Sequence, residues 1–195
     1  SMDVLIRQGK ILYWGTSEWT AEQLIEAQLI ARQWRLTPPT MEQPEYNLFN
    51  RQKVEKDYLP LYEKYQLGST TWSPLCSGLL TTKYLKGIPK DTRMSLEGFS
   101  WLKERFLSQE GQKRQKKIVE LVDLAGKLGV SLPNLAIAWC LKNKNISTVI
   151  LGARSKDQLE ENLNSFETQN LLTEDVMSDI EEIIQTKPEA VSLYR

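Results

Sequence analysis

The sequence predicts an α/β fold in which short parallel strands alternate with helices. Short apolar runs that end at Gly, Pro or Ser recur along the chain, and such runs are typical of buried strands. A segment with helical apolar spacing follows each run, and several of these segments begin with a capping residue. Repeated strand–helix order requires crossover connections, and these connections make neighbouring strands parallel.

Four strands are predicted from apolar or β-branched runs, and helices from the segments between and after them. The strands are predicted at residues 11–16, 40–46, 69–73 and 148–151. The helices are predicted at residues 4–8, 20–34, 54–65, 112–128, 133–142, 156–164 and from Thr173 onwards.

Local signals set several of the helix ends. Two pairs of residues have the spacing of a capping box, namely Thr20 with Gln23 and Ser155 with Gln158. Gly9 and Gly68 are predicted to close the helices that precede them, because glycine readily adopts the left-handed conformation found there. Pro60 predicts a kink or a boundary within the 54–65 helix.

The stretch from residue 74 to residue 111 has no regular pattern and contains several Gly and Pro residues. Loops of this length are usually functional or disordered. Four embedded aromatic residues favour a packed loop, and they are Tyr84, Phe99, Trp101 and Phe106.

Four strand–helix units fit two architectures. They could form a small open sheet, or they could form half of an eight-stranded barrel, a fold of about 250 residues. Hydrophobic periodicity does not distinguish the two.

The composition excludes several classes of function. The 25 basic and 25 acidic residues cancel, which argues against a nucleic-acid or anionic-membrane surface. No apolar run reaches the length of a membrane span, and the N-terminus lacks a signal-peptide core. Because the chain has no histidine, Ser-His-Asp triads and His-ligated metal sites are excluded.

The two cysteines suggest an intracellular location. Cys76 and Cys140 lack metal-ligand spacing and are expected to be reduced thiols. We therefore expect a cytoplasmic protein without a metal site. Ser1 and Met2 are typical of a cloning remnant, and the natural sequence is expected to begin near Asp3.

The carboxyl ends of the predicted strands carry groups that suit a nucleotide. Ligands of parallel α/β folds bind at this end. Ser17, Gln43 and Trp72 offer a hydroxyl, an amide and an aromatic face, which suit a flat ring that bears a carboxamide. Gly152 and Arg154 precede a helix N-terminus, where the dipole favours phosphate. A dinucleotide is the ligand that needs both groups.

Each of these residues also has a plainer interpretation. Trp72 is one of six tryptophans, and a lone tryptophan is more often part of a core. Gln43 could satisfy a backbone group at the strand end, and Arg154 could be a solvated arginine in an ordinary turn. A basic cluster is interpreted as a solvated helix face without function, and it comprises Lys113, Arg114, Lys116 and Lys117.

Six motifs stand out along the chain, namely YWGTS at 13–17, EQPEY at 42–46, TWSPL at 71–75, GIP at 87–89 with Arg93, LAIAWC at 135–140, and LGARS at 151–155 with Gln158, Glu161 and Asn162. Together they resemble the aldo-keto reductases, and most closely the branch that contains voltage-gated potassium-channel β subunits. They follow the order of the family and cover the chain from about Val4.

The resemblance implies a (β/α)8 barrel, of which residues 3–195 cover about four units, resembling strands five to eight, and a C-terminal helix. The family transfers a hydride from NADPH to an aldehyde or ketone. The channel-subunit branch alternatively implies a regulatory module that senses redox state through NADP(H) and contacts an ion channel. A truncated or alternatively spliced product without activity is a third possibility.

The resemblance also assigns the NADP(H)-binding positions. Ser17 and Gln43 would hold the nicotinamide carboxamide, and Trp72 would stack on the ring. The pyrophosphate would lie along Ser73, Pro74, Leu75, Ser77 and Gly78, under a loop that carries Lys83 and Arg93. The adenosine end would be held by Gly152, Arg154, Ser155, Gln158, Glu161 and Asn162. A basic residue at Arg154 favours the 2′-phosphate of NADP.

One part of the family pattern has no counterpart. The catalytic aspartate, tyrosine and lysine, and the histidine or asparagine of the fourth strand, belong to the first half of the barrel, and no segment here matches them. We therefore expect no catalytic residue and no carbonyl reduction by this chain alone. A half barrel has two open strand edges and an uncovered apolar face. Self-association, pairing with an N-terminal half, or a rearranged sheet is therefore expected.

Overall fold

The computed structural model describes residues 1–90 and 92–189, and in that part of the chain strands alternate with helices. The strands are β1 (Gly15–Ser17), β2 (Met41–Gln43), β3 (Gly68–Thr71) and β4 (Thr148–Val149). The α-helices are α1 (Met2–Arg7), α2 (Ala21–Trp34), α3 (Leu59–Tyr65), α4 (Ser100–Leu107), α5 (Gln109–Lys127), α6 (Leu132–Lys142), α7 (Lys156–Leu163), α8 (Ser165–Thr168) and α9 (Glu174–Ile184). The predicted domain at 3–195 includes positions 91 and 190–195, which lie outside the described residues.

In the described part of the chain, the four strands form one parallel sheet in the order β1-β2-β3-β4. A doubly wound open sheet reverses its strand order at a switch point, whereas a barrel adds each strand beside the preceding one. The observed order has no reversal and therefore agrees with barrel-type winding. The predicted α/β class is confirmed.

The strands are shorter than predicted, and β1 begins later. Leu12 and Tyr13, predicted to lie in a buried strand, are 80% and 75% exposed. Pairing begins only at Gly15, which has no side chain where β1 lies against Met41. β2 ends at Gln43 because the next residue, Pro44, has no N–H to continue the ladder.

One predicted capping box is complete and the other is half formed. Thr20 accepts from the Gln23 backbone N–H, and the Gln23 side chain accepts from the Thr20 N–H. Ser155 likewise accepts from the Gln158 N–H at 3.3 Å. The side-chain Oε1 of Gln158, however, accepts from the backbone N–H of Arg154, one residue earlier than a capping box requires, at 2.8 Å.

The helix predicted at 54–65 consists of two segments. A π-helical turn, Lys53–Asp57, precedes α3, and Pro60 lies in the first turn of α3. Of the two predicted roles of Pro60, a kink or a boundary, the structure shows the boundary. The assignment of Gly68 as the closing residue is wrong, because Gln66 closes the helix with φ 52 and Gly68 begins β3.

The region at 74–111 contains more regular structure than predicted. Its short 3₁₀ segments are Cys76–Gly78, Thr82–Tyr84 and Arg93–Ser95, and α4 follows them. Helix α4 gave no sequence signal because its N-cap is Phe99, which makes no side-chain capping bond. Tyr84 and Phe106 are buried, with ring centroids 5.7 Å apart, so the packed character is confirmed for them. Trp101 is exposed.

The main core lies between the sheet and helices α5, α6 and α9, and α6 is buried along almost its whole length. Trp139 of α6 stacks on Tyr46, with ring centroids 5.0 Å apart. Cys76 and Cys140 are both free and buried in this core. Burial raises the pKa of the Cys76 thiol to about 11, so the thiol is protonated and unreactive at neutral pH.

Arg51 joins the segment after β2 to helix α9. Its guanidinium donates to Glu55 at 2.7 and 2.9 Å and to Glu181 at 2.7 Å. It also lies 5.0 Å from the ring centroid of Trp139. Arg51 is only 5% exposed, so its charge is compensated inside the protein.

A buried carboxylate, Glu42, links β2 to the end of β1. It accepts from the Thr16 hydroxyl and from the Trp19 backbone N–H, the latter at 3.0 Å. Burial raises the pKa of Glu42 above its usual value despite these two hydrogen bonds. Ionisation of Glu42 is therefore less favourable in the folded protein than in the unfolded chain.

The predicted basic cluster on α5 is only partly a solvated face. Lys117 Nζ donates to the Ile184 carbonyl at the end of α9 at 2.5 Å. The Arg114 guanidinium lies 5.2 Å from the ring centroid of Phe49. These two cations pack α5 against its neighbours.

Within the described residues, no single helix has both the length and the apolar character of a membrane span, and α5 and α6, bent by 90°, have them only as a pair. In the same residues, no three His, Cys, Asp or Glu side chains are grouped so that they could hold a metal ion.

Replacement of Arg51 tests the importance of its buried ion pairs. Arg51→Ala is expected to lower the free energy of unfolding by about 3 kcal/mol, because Glu55 and Glu181 lose their counter-ion. Urea denaturation measures this loss. Arg7, whose side chain is exposed and pairs with Asp3, is the control, and Arg7→Ala should cost less than about 1 kcal/mol. Equal losses in the two variants would contradict the assignment.

Glu42 predicts a pH dependence of stability. A raised folded-state pKa means that the contribution of Glu42 is complete below its ordinary pKa of 4.5 and is lost as pH rises through the folded-state value. Glu42→Gln cannot ionise, so the unfolding free energy of wild type minus that of the variant should fall as pH rises from about 4 to about 8. Glu63→Gln, at an exposed position on α3, is the control. A difference that rises with pH would refute the prediction.

Candidate functional site

The carboxyl ends of the parallel strands bring the first group of predicted residues together. Ser17 ends β1 and Gln43 ends β2, and the two are paired in register. The Ser17 hydroxyl donates to the Gln43 carbonyl at 2.9 Å. Trp72 follows β3, where its N–H donates to the Pro44 carbonyl at 3.1 Å and its carbonyl accepts from the Tyr46 N–H at 3.3 Å. These bonds fix the Trp72 backbone beside the end of β2.

The Trp72 indole is held by a residue to which the sequence analysis gave no role. Its Nε1–H donates to Glu18 Oε1 at 3.0 Å. The same oxygen accepts from the Glu45 N–H at 2.6 Å, and Glu18 Oε2 accepts from Lys53 Nζ at 2.6 Å. Trp72 is half-buried and lies outside the buried core clusters. The core interpretation of Trp72 therefore does not fit its position.

Glu18 is ionised in this setting. Burial opposes its ionisation, yet hydrogen bonds from Lys53, the Glu45 N–H and Trp72 outweigh that effect and lower its pKa. The Glu18 side chain is 43% exposed, so a ligand at the strand ends can reach it. Its place directly after Ser17 at a strand end was a usable signal, whereas nothing in the sequence pointed to Lys53.

The turn after β3 is wound largely in left-handed conformations. Ser73, Cys76, Ser77 and Gly78 have φ values of 56, 49, 56 and 91°. Such conformations are uncommon for residues other than glycine and concentrate at functional sites. The N–H groups of Cys76 and Gly78 bond to carbonyls within the turn, and that of Ser77 bonds to Ser73 Oγ at 3.0 Å. The turn therefore presents side chains, and not these N–H groups, to a ligand.

Gly78 makes room for an ammonium group. A Cβ atom at residue 78 would lie 2.5 Å from Lys83 Nζ, so the Lys83 side chain lies across the turn in space that the glycine leaves open. The same Nζ is 4.8 Å from the ring centroid of Tyr84. Pro74 is buried and Leu75 packs on the main core. The structure thus brings Lys83 to the predicted pyrophosphate residues and turns Pro74 and Leu75 inwards.

Arg93 lies in the next part of the same loop. Its guanidinium is 5.7 Å from the ring centroid of Phe99, and its side chain is exposed. This contact stays within the loop and does not connect Arg93 to the turn that Lys83 crosses.

A second group of predicted residues follows β4. The Arg154 N–H donates to Gln158, and Asn162 Nδ2 donates to the Gly152 carbonyl at 3.4 Å. With Ser155 capping α7, these bonds fold the turn back onto the first turns of that helix. Gly152 does not adopt a left-handed φ, and a Cβ there would meet nothing within 4 Å.

Glu161 belongs to the same predicted group. It is exposed on α7 and lines a shallow pocket that also includes Asn134 of α6 and Thr168 of α8. The hydrogen bonds described above for the turn involve Gln158 and Asn162.

Comparison with known proteins identifies the family. Residues 1–185 match the sequence profile of a family described as "Aldo/keto reductase family". A relative from Oryza sativa subsp. japonica, described as "Probable voltage-gated potassium channel subunit beta", is 48% identical over 196 residues. The match covers all of this chain and 59% of the relative.

These matches confirm the resemblance, including the branch that contains channel β subunits. The family fold is the (β/α)8 barrel, and the parallel sheet described above is consistent with part of one. The chain spans 59% of the length of the curated relative that it matches. The chain belongs to the aldo/keto reductase family, a family of oxidoreductases.

Proposed function

We propose that this chain is the NADP(H)-binding part of an aldo/keto reductase that reduces aldehydes or ketones. The observation that supports this most directly is the fixed, half-buried indole of Trp72. It lies at the strand ends that carry Ser17 and Gln43. An aromatic face with a hydroxyl and an amide nearby suits a nicotinamide ring and its carboxamide.

Two cations support the phosphate end of the proposal. Lys83 lies across the left-handed turn that follows β3, which suits the pyrophosphate. Arg154 precedes the N-terminus of α7, where the helix dipole favours negative charge. An arginine at that point suits the 2′-phosphate that distinguishes NADP from NAD. The donors present therefore fit the cofactor.

NADPH, when bound, supplies the hydride for carbonyl reduction. The residues of this chain would bind and orient it. A tyrosine that acts as a general acid needs a lowered pKa, but burial and then Glu55 raise the pKa of Tyr46 far above its usual value. Tyr46 is thus unsuited to this role. Because no segment matches the family's catalytic residues, the proposal assigns this chain no catalytic acid and expects the reacting groups in the part of the barrel that it does not cover.

A second candidate function is regulatory. The rice relative is described as a probable voltage-gated potassium channel subunit beta, which favours a module that binds NADP(H) as a redox sensor on an ion channel. Both functions would use the same cofactor site. They differ in whether the complete protein turns over a carbonyl substrate.

Exposed apolar side chains support a further partner, either an N-terminal half of the barrel or a second copy. Leu12, Tyr13 and Trp34 are exposed on the side of β1, and Leu163 and Phe166 are exposed beyond β4. The open edges of the sheet, β1 and β4, belong to the same two regions. Exposed apolar groups beside open edges are sites of association. We also propose a cytoplasmic location, which the free thiols of Cys76 and Cys140 support.

NADPH titration tests the proposed function. Saturating quenching of tryptophan fluorescence is expected, and Trp72→Leu should remove most of it because the stacking partner is lost. Arg154→Ala should weaken NADPH binding about tenfold, or about 1.4 kcal/mol, and leave NADH binding unchanged because NADH lacks the 2′-phosphate.

Arg32→Ala, at an exposed position on α2, is the matched control for the loss of an arginine. Its affinities for NADPH and NADH should equal those of wild type. No response of the wild-type chain up to millimolar NADPH would exclude the proposal.

A separate prediction concerns activity. The purified chain with NADPH and 4-nitrobenzaldehyde should consume NADPH no faster than the protein-free mixture, because no catalytic acid is assigned to it. The absorbance of NADPH measures the rate, and a complete aldo/keto reductase is the positive control. Robust turnover would show that a catalytic group lies within this chain.

A further inference from the structure

We infer that Glu18 is a positioning residue for Trp72, and that its carboxylate makes the site favour the oxidised, positively charged nicotinamide over the reduced one. The inference rests on the proposed function, because it takes Trp72 as the surface on which the nicotinamide stacks. No family motif in the sequence assigned Glu18 a role.

Glu18 connects two of the predicted nicotinamide contacts. Its backbone N–H donates to the Gln43 carbonyl at 3.3 Å, and its side chain accepts from the Trp72 indole at 3.0 Å. The backbone bonds of Trp72 fix its Cα, but they leave the side-chain torsions free. The indole hydrogen bond is the contact that selects one orientation of the ring plane.

The chain holds Glu18 itself in place. Its φ of 62° is in the left-handed region, which glutamate seldom adopts. Lys53 Nζ bonds to both the Glu18 carbonyl at 3.0 Å and Glu18 Oε2 at 2.6 Å. Backbone and side chain of Glu18 are therefore fixed by one ammonium group.

Only a carboxylate satisfies all of these partners. Oε1 accepts from Trp72 and from the Glu45 N–H, while Oε2 accepts from Lys53. A glutamine has one acceptor oxygen, and its NH2 group would face a donor on one side. Glutamine can keep the bond to Trp72 but cannot keep the bond to Lys53 as well.

The charge of this network distinguishes the two redox forms of the cofactor. The reduced nicotinamide is neutral and the oxidised ring carries one positive charge, so a nearby carboxylate attracts only the oxidised form. One carboxylate, that of Glu18, lies here with one ammonium, that of Lys53. Removal of the Glu18 charge makes the local charge more positive by one unit.

The first experiment uses the chain without cofactor. In a ¹H–¹⁵N spectrum of the indole N–H groups, the Trp72 resonance is assigned as the one missing from Trp72→Phe. Glu18→Ala is expected to shift this resonance upfield and to speed its exchange with water, whereas Glu18→Gln should retain most of the downfield shift. An unchanged resonance in Glu18→Ala would overturn the positioning role.

The second experiment measures the Kd of NADPH and of NADP⁺ by fluorescence for the same proteins. Glu18→Gln is expected to shift the ratio of the two Kd values about fivefold towards NADPH. The double variant Glu18→Gln with Lys53→Met removes both charges and should return the ratio towards that of wild type. Glu63→Gln, the same charge change on the exposed face of α3, should leave the ratio unchanged.

The outcomes separate this inference from the proposed function. If the wild-type chain binds neither NADPH nor NADP⁺, both the proposed function and this inference are refuted. A wild-type chain that binds both, with the same ratio in Glu18→Gln, sinks the inference alone. A shifted ratio in Glu63→Gln would also overturn it, because the effect would then not belong to the strand ends.

Discussion

Parallel pairing of each strand with the next one along the chain is the constraint on which the site depends. It places the carboxyl ends of β1, β2 and β3 at one edge of the sheet. Side chains that are 26 or more residues apart in sequence thus become neighbours there. The short bridge between Glu45 and Trp72 extends this pairing past the regular strands. An antiparallel neighbour at any point would send one group of the predicted residues to the opposite edge.

Features set by near neighbours in the chain were the predictable ones. The capping box at Thr20 and the boundary at Pro60 depend on residues three or four positions away, and both are present. The predicted start of β1 was too early. Apolar residues such as Leu12 and Tyr13 indicate a buried strand only if another element packs over them, and that packing depends on the tertiary structure. Helix α4 was missed for the converse reason, since it forms without a capping side chain.

Only part of the candidate site was predictable from the sequence, for the same reason. Strand-end position and the family pattern pointed to Ser17, Gln43 and Trp72, and the structure places them side by side. The network around the indole was not predictable, because Glu18 and Lys53 are 35 residues apart and meet only after β1 and β2 have paired. Family resemblance supplies positions expected to touch a ligand, whereas a contact such as the bond from Trp72 to Glu18 is visible only in the folded protein.

The ion pair between Arg51 and Glu181 has a consequence for the order of folding. The two residues are 130 positions apart, yet Arg51 lies in the segment that leaves the end of β2. During synthesis the ribosome releases that segment before α9 has been made. At that stage Arg51 can pair with Glu55 but not with Glu181. Contacts of such long range form late in folding. The segment after β2 therefore cannot complete its ion pairs until α9 has been translated.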